Sequence, residues 1–368
     1  MKINLFFFIS KFNFGGAGNA IFNFLENLDK KKYNLHMIFL DNSDYKKLLP
    51  KHVKAYQLNI RSYFFKTFFS FFQIRKIILQ KSLINKKNIF ISNIHYSNVL
   101  SILFLRKIKN LKLVLFERTS LKELDIFYKF FSYLKNKLIK VLIKFTYRKA
   151  DKILVNSKTS AEELKKLKIK SSIVYSGSLI KFIKKKKFKK IFFFNIIAVG
   201  RLTYQKDYFT LLDAIKSIKN RNFILRIYGD GILKNKINYY IKNNNLNKCV
   251  QLKGHQKDPQ KIYSKADLLI HPAIFEGLPN VVVEAMSYGV PVIASNSYGG
   301  TKEILNNGKF GELFDPGDSG SLSKKLENFL VNPIKLQKKV MKSKSFLSRF
   351  DKQNSCKSLD KILMSIRH

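Results

Sequence analysis

Leu268-Leu269-Ile270-His271-Pro272-Ala273-Ile274-Phe275-Glu276-Gly277-Leu278-Pro279-Asn280-Val281-Val282-Val283-Glu284-Ala285-Met286 reads as strand, loop and helix in that order. The short apolar run ending at His271 suits a buried strand, and Pro279 suits a helix start, where its missing N–H costs nothing. Val281, Val282, Ala285 and Met286 share one helical face and leave Glu284 at its edge, about one turn into the helix. Glu276 falls at a strand's carboxyl end. The N–H groups over 279–282 point at the same place and favour an anion. Two carboxylates beside such a helix end suit a ligand with hydroxyls next to a phosphate. A surface helix with acidic residues in its first turn is the plainer alternative.

The same alternation extends in both directions. Apolar runs at 3–9, Leu35–Leu40, Ile89–Ile91, Leu113–Phe116 and Ile153–Val155 each stand next to a helical pattern. A second series follows at Phe192–Val199, Phe223–Tyr228, Val250–Leu252, Leu268–His271 and Pro291–Ala294. Alternating strands and helices imply α/β architecture with parallel sheets covered on both faces. We expect two doubly wound, Rossmann-like domains facing each other across a cleft: residues 1–180, a basic linker at 181–190, and 191–345. The tail over 321–366 reads as helical throughout, with a last helix at 346–368 placed to pack back on the first domain. In open α/β sheets, ligands bind outside the strands' carboxyl ends.

Composition narrows the class. A chain of 368 residues with 46% hydrophobic and 14% aromatic content can build real cores, which excludes wholesale disorder. Two cysteines, Cys249 and Cys356, make neither a disulfide framework nor a cysteine-rich zinc site and fit a reducing compartment. The opening Met1-Lys2-Ile3-Asn4-Leu5-Phe6-Phe7-Phe8-Ile9 lacks a small-residue cleavage site and reads as a first strand rather than a signal peptide. No apolar run approaches the ~18–20 residues of a spanning helix. The expected location is cytoplasmic.

The net charge is +46, from 70 basic and 24 acidic residues. It is uneven: residues 1–190 carry 42 basic and 10 acidic groups (42 − 10 = +32), and 191–368 carry 28 and 14 (28 − 14 = +14). An anionic partner for the first half and ordinary solvated lysine both fit. Lys, Asn, Ile, Phe and Tyr abound together, as an AT-rich genome produces.

Other turns carry candidate chemistry. Val199-Gly200-Arg201-Leu202-Thr203-Tyr204-Gln205-Lys206-Asp207 closes a strand and supplies two cations that suit a diphosphate, Arg201 through its fork and Lys206 as a point charge. Gly229-Asp230-Gly231 marks another tight turn. Gly15-Gly16-Ala17-Gly18 sits between the first strand and helix, where backbone must approach a phosphate closely, although neither a full dinucleotide fingerprint nor a P-loop is present.

Taken in order, the Gly-rich opening, Gly200-Arg201-Leu202 with Lys206, and Glu276 to Met286 with its paired glutamates resemble the family 4 retaining glycosyltransferases of GT-B fold. Tyr263-Ser264-Lys265-Ala266-Asp267, Gly289-Val290-Pro291-Val292-Ile293-Ala294 and Gly299-Gly300-Thr301-Lys302-Glu303-Ile304 are similar to the same family. The resemblance implies a transferase that moves a sugar from a nucleoside-diphosphate donor to a lipid-linked saccharide in surface polysaccharide, lipopolysaccharide or capsule assembly. It implies that Arg201 and Lys206 hold the diphosphate, with Gly200 at the same turn. Glu276 would contact the sugar near the amides of Gly277, Leu278, Pro279 and Asn280. Glu284 would bind the ribose, and Gly15 and Gly16 would let the first loop close over the phosphates. No Asp-x-Asp occurs, so no metal and no cofactor beyond the donor are expected.

One position departs from the pattern. Where many members of the family it resembles carry a His after a mid-domain strand, this chain has Glu117-Arg118-Thr119-Ser120, and the resemblance implies that Arg118 takes the position near the reacting sugar. His95, at another strand end, is a second candidate and more often a structural residue in such a place.

Two stretches bear on membranes. Ile126, Phe127, Phe130, Leu134, Leu138, Val141, Leu142 and Phe145 fall on one helical stripe with Lys129, Lys137, Lys140 and Lys144 opposite. In 61–87, Phe and Ile alternate with Arg61, Lys66, Arg75, Lys76 and Lys81. Packing onto the first sheet accounts for either stripe singly; with the charge, peripheral attachment to an anionic membrane through the first domain is the expectation. Two other classes are the alternatives: a sugar-nucleotide epimerase on the same fold, and a basic nucleic-acid-binding protein. The second would need clustered Arg and a reading module, but the chain has 60 Lys to 10 Arg, so no specific nucleic-acid partner is expected.

Overall fold

The computed structural model describes residues 2–12, 15–40, 44–60, 65–84, 87–125, 130–179, 182–183 and 193–366, with backbone only at 44–45 and 130–132. Apart from Phe182 and Ile183, the 181–190 run lies outside the described residues, as do Arg61, Ile126, Phe127 and Lys129. The chain divides into two compact units, Met1–Gly177 with Lys352–His368, and Ser178–Asp351.

The first unit runs β1 (Ile3–Phe8), α1 (Gly16–Asn27), β2 (Tyr33–Phe39), β3 (Lys54–Gln57), α2 (Lys66–Ile84), β4 (Asn88–Asn93), α3 (His95–Leu105), β5 (Leu111–Glu117), α4 (Phe130–Thr146), β6 (Lys152–Val155), α5 (Lys158–Lys166) and β7 (Ser172–Ile173). The second runs β8 (Phe194–Val199), α6 (Tyr208–Ser217), β9 (Phe223–Tyr228), α7 (Lys234–Asn243), β10 (Val250–Gly254), α8 (Pro259–Tyr263), β11 (Leu268–His271), α9 (Asn280–Ser287), β12 (Val292–Ser295), α10 (Thr301–Ile304), β13 (Glu312–Phe314), α11 (Ser319–Val331), α12 (Pro333–Met341) and α13 (Lys344–Leu347). The final helix, α14 (Lys352–Met364), packs on α1 in the first unit.

Both sheets are parallel throughout, ordered β3-β2-β1-β4-β5-β6-β7 and β10-β9-β8-β11-β12-β13. Each contains the doubly wound order, in which the chain starts at the middle, builds one edge, and returns to build the other. The reversal opens a crevice between β1 and β4 in one sheet and between β8 and β11 in the other. Strands buried on both faces need no polar alternation, which is why β1 is continuously apolar apart from Asn4.

In the first unit, Phe7, Phe24, Phe39 and Phe116 fill one side of the sheet together with Leu359 and Leu363 of α14. Phe71, Ile74, Phe90, Ile143 and Tyr147 fill the other. α14 is tied down by Asp360, which accepts from the Tyr33 hydroxyl at 2.7 Å and from Lys32 Nζ at 2.7 Å.

The structure adds strands that periodicity does not reveal. β3, β7 and β13 are four, two and three residues long, and the exposed Lys54 and Ala55 give β3 no apolar signature. The tail is not one continuous helix: Asn332 caps α12 through Lys335 N–H at 3.4 Å, and 348–351 form a short turn before α14.

Candidate functional site

In the second unit the site is built where the strand order reverses. β8 ends at Val199 and feeds Gly200 and Arg201; β11 ends at His271 and feeds the loop that carries Glu276. These two loops are laced together. Ile274 N–H donates to the Gln205 carbonyl at 2.9 Å, and Gln205 Nε2 donates to the Phe275 carbonyl at 3.0 Å. Lys206 Nζ consequently donates to Glu276 Oε1. The far side of the Glu276 loop is pinned too, because Glu276 N–H donates to the Tyr298 carbonyl and Gly300 N–H to that of Gly277, both at 2.7 Å.

Glycine makes that approach possible. A Cβ on Gly299, at φ +125°, would lie 1.7 Å from the Glu276 carbonyl oxygen. One on Gly229 would lie 1.9 Å from the carbonyl oxygen of Gly200. Both turns are therefore closed to any side chain.

Beneath Glu276 lies His271, with Nε2 at 3.5 Å from Oε1 and only 1% of its side chain exposed. Burial would push the Glu276 carboxyl up; Lys206 and His271 outweigh it and hold the group at about 2. Burial and the Lys206 charge together push His271 below its usual value, against the pull of Glu276. Glu276 is therefore an ionised acceptor rather than an acid. Arg201, in the same turn as Lys206, is exposed and makes no ion pair among the described residues.

Glu284 is partly buried on α9 and accepts from the Tyr263 hydroxyl at 2.8 Å; burial raises its carboxyl, and the Tyr263 bond works against that. Of the N–H groups expected to favour an anion over 279–282, not all are available. Pro279 caps α9 and has no N–H, and Val282 N–H donates to the Pro279 carbonyl at 3.0 Å.

In the first unit, Gly15 caps α1 after β1, and His95 opens α3 after β4, so both stand at that sheet's own reversal. Ile94, between β4 and α3, has φ +73°, a conformation that β-branched residues avoid. His95 is largely buried with Nδ1 3.7 Å from Glu117. Burial opposes its charge, but the Glu117 carboxylate outweighs it and raises the imidazole. Glu117 also accepts from Tyr147 Oη at 2.6 Å.

Arg118 is buried. Its Nε donates to Asn93 Oδ1 at 2.6 Å, its guanidinium lies 3.8 Å over the Phe116 ring, and Nη1 and Nη2 have no partner among the described residues. Burial lowers its pKa to about 9, with Glu117 pulling the other way. Arg201, Lys206, Glu276 and Glu284 thus belong to one unit, and Gly15, Gly16, His95 and Arg118 to the other.

Residues 14–177 match the family model for Glycosyltransferase Family 4, and residues 180–345 match that for Glycosyl transferases group 1. The chain belongs to the family 4 type of glycosyltransferase.

Among relatives of this glycosyltransferase, a Campylobacter jejuni α-1,4-N-acetyl-D-galactosaminyltransferase, named for a diNAcBac-PP-undecaprenol acceptor, is 26% identical over 93% of this chain and 92% of its own. A second from the same organism, an N-acetylgalactosaminyltransferase named for a diphospho-undecaprenol acceptor, is 31% identical over 61% of this chain and 63% of its own. An uncharacterized Methanocaldococcus jannaschii glycosyltransferase is 36% identical over 47% of this chain, which spans 46% of that relative. Among solved structures, Anabaena HepE in complex with UDP-glucose superposes with a TM-score of 0.79 at 18% identity, covering 99% of this chain and 100% of its own. That likeness shows the GT-B fold.

Sequence reasoning about this glycosyltransferase missed two site residues. In the sequence alone His271 is no more than a strand terminus, and Tyr263 no more than part of a family-like segment. The signal for the first was an imidazole five residues before Glu276 at the end of an otherwise apolar strand. Nothing local marks the second, because Tyr263 meets Glu284 through the packing of α8 on α9.

Proposed function

We propose that this glycosyltransferase moves a hexosyl or N-acetylhexosaminyl group from a nucleoside-diphosphate sugar to a lipid-linked saccharide in surface polysaccharide, lipopolysaccharide or capsule assembly. On this reading the transfer retains configuration and needs no metal or other cofactor. The observation that carries the reading is the contact of Lys206 with Glu276 at the sheet reversal, with Arg201 open in the same turn.

Arg201 and Lys206 take the donor diphosphate, and Lys206 keeps two of its three N–H donors for it while the third holds Glu276. Glu276, ionised throughout the working pH range, accepts from sugar hydroxyls, and Glu284 accepts from the ribose. The bond from the anomeric carbon to the phosphate oxygen breaks, and the acceptor oxygen bonds to that carbon on the same face. The acceptor's proton passes to the departing diphosphate. The protein supplies positioning and charge stabilisation. Gly15 and Gly16 close on the phosphates, and Arg118 and His95 serve the reacting sugar and acceptor from the first unit.

Peripheral attachment to the cytoplasmic face of an anionic membrane belongs to the same reading. No helix among the described residues is long and apolar enough to cross a membrane. What supports surface attachment is α4, whose buried face is Ile139 and Ile143. Its Leu134, Leu138, Val141 and Phe145, spaced at helical repeats, stay exposed beside Lys137, Lys140 and Lys144. Phe69, Phe72 and Leu83 of α2 are exposed likewise.

A thermal-shift panel of UDP, GDP, CDP and ADP, then their sugar conjugates, with and without EDTA, tests the donor assignment. A selective rise with one nucleoside diphosphate that survives EDTA is the expected result. No rise with any of them overturns it.

A further inference from the structure

At the amino-terminal edge of the first sheet, opposite the Gly15–Gly16 end, polar side chains replace apolar ones. Asn34, Asn4 and Asn88 are neighbours in register across β2, β1 and β4. Asn34 Nδ2 donates to Asn4 Oδ1 at 3.0 Å, Asn4 Nδ2 to Asn88 Oδ1 at 2.9 Å, and Asn88 Nδ2 to the Asn110 carbonyl at 3.2 Å. Beside this ladder lies a pocket of about 380 Å³ lined by Lys2, Lys54, Lys81, His36 and Ile84 together with Asn4 and Asn34. No carboxylate is among the described residues that line it, and Lys54 and Lys81 both act on His36 there, an arrangement of like charges that an anion would relieve.

His36 forms part of the pocket wall. It is 2% exposed, stacks on Phe6 with ring centroids 4.4 Å apart, and meets the Tyr56 hydroxyl through Nδ1 at 3.3 Å. Its Nε2 is buried with no partner among the described residues. Burial first, then the charges of Lys54 and Lys81, hold this imidazole at about 4, so it is neutral at physiological pH. A neutral imidazole has one hydrogen for its two nitrogens, and in either tautomer the buried Nε2 lacks a partner among the described residues. Lysines that line a pocket without a carboxylate among them select an anion. The pocket's remaining lining residue, Ile84, is 75% exposed and its neighbour Leu83 is 88% exposed, so an apolar surface continues from the cationic one.

We propose that this pocket takes the phosphate headgroup of an anionic lipid, with the acyl chains continuing over Leu83 and Ile84. The proposal rests on the membrane-surface reading above and involves none of the donor-site residues. A free phosphate would account for the lysines but leave the apolar rim without a role.

The test is vesicle co-sedimentation of the full chain on phosphatidylcholine with and without phosphatidylglycerol. Lys54→Gln with Lys81→Gln should lower partitioning onto the anionic vesicles by about fivefold per lysine, with an unchanged melting temperature. Lys216→Gln with Lys219→Gln, which removes the same charge from exposed positions of the second unit, should leave partitioning near wild type. Equal losses from both pairs would assign the binding to diffuse charge and overturn the pocket, as would wild-type binding by the Lys54/Lys81 variant. No binding by the wild type would overturn the membrane reading itself. A melting-temperature rise with inorganic phosphate that the pocket variant loses, without vesicle binding, would assign the pocket to a free anion and overturn the lipid.

Discussion

Lys206 and Glu276 meet across 70 residues of chain because their loops are joined by backbone before their side chains touch. Gln205 makes that join, accepting from Ile274 N–H at 2.9 Å and donating through its side chain to the Phe275 carbonyl at 3.0 Å. The pair is thus placed by the loops and not by its own attraction, which matters because a buried ion pair repays its desolvation only with good geometry.

Glu276→Ala and Lys206→Ala should each lower sugar transfer by at least about a hundredfold, the range seen when one preorganised charge partner is lost. Far-UV circular dichroism should still report a folded chain. Lys206→Ala should also lower the melting temperature, because it strands the buried Glu276 carboxylate. Near-normal turnover in either variant would show that the sugar and diphosphate are held elsewhere.

Stability should fall in acid through this pair. Glu276 sits at about 2 in the folded chain against an ordinary 4.5. A depressed folded value contributes stability that is complete above the unfolded value and is lost as pH falls from about 4.5 toward 2. Melting temperatures at pH 5, 4 and 3 should decline for the wild type, and Lys206→Met should flatten that decline. Parallel curves would mean that other carboxylates govern the acid limb.

Gly299→Ala should cost about 3 kcal/mol or more and reduce transfer with it, since the new Cβ would lie 1.7 Å from the Glu276 carbonyl oxygen. Gly254→Ala is the comparison: its φ of +68° is strained for alanine, but nothing lies within 4 Å of the added carbon. A smaller loss of about 1 kcal/mol is expected there. Chemical denaturation of the two variants measures the difference, and equal losses would remove the steric argument.

On α4, Leu138→Ser with Phe145→Ser should weaken vesicle binding several-fold and shift stability by no more than about 0.5 kcal/mol per site, because both side chains are more than half exposed. Ile143→Ala, fully buried on the opposite face, should do the reverse and cost about 2–5 kcal/mol. Unchanged vesicle binding in the serine variant would return the stripe to an ordinary surface.

Much of this was legible in the chain. The run ending at His271, the Pro279 helix start and the Gly200-Arg201 turn are local signals, set by apolar periodicity and by residues with restricted or permissive backbones. The α4 stripe was legible as a pattern, but not its destination. An apolar face at helical spacing looks the same whether it meets a sheet or water, and here Ile139 and Ile143 face the core while Leu134, Leu138, Val141 and Phe145 do not. The short β3, β7 and β13 escaped because so few residues carry no period.

The sequence by itself determined the α/β class, the strands that bear the site and the residue types at their carboxyl ends, because these depend on interactions between near neighbours. Only the tertiary structure decided which of those ends stand together. Strand order brings β8 beside β11 and so Lys206 to Glu276, His271 beneath them, Tyr263 to Glu284, and three lysines around His36. The physical reason is that charge and hydrogen-bond partners act over a few ångströms of space, whereas the residues that supply them lie many residues apart along the chain.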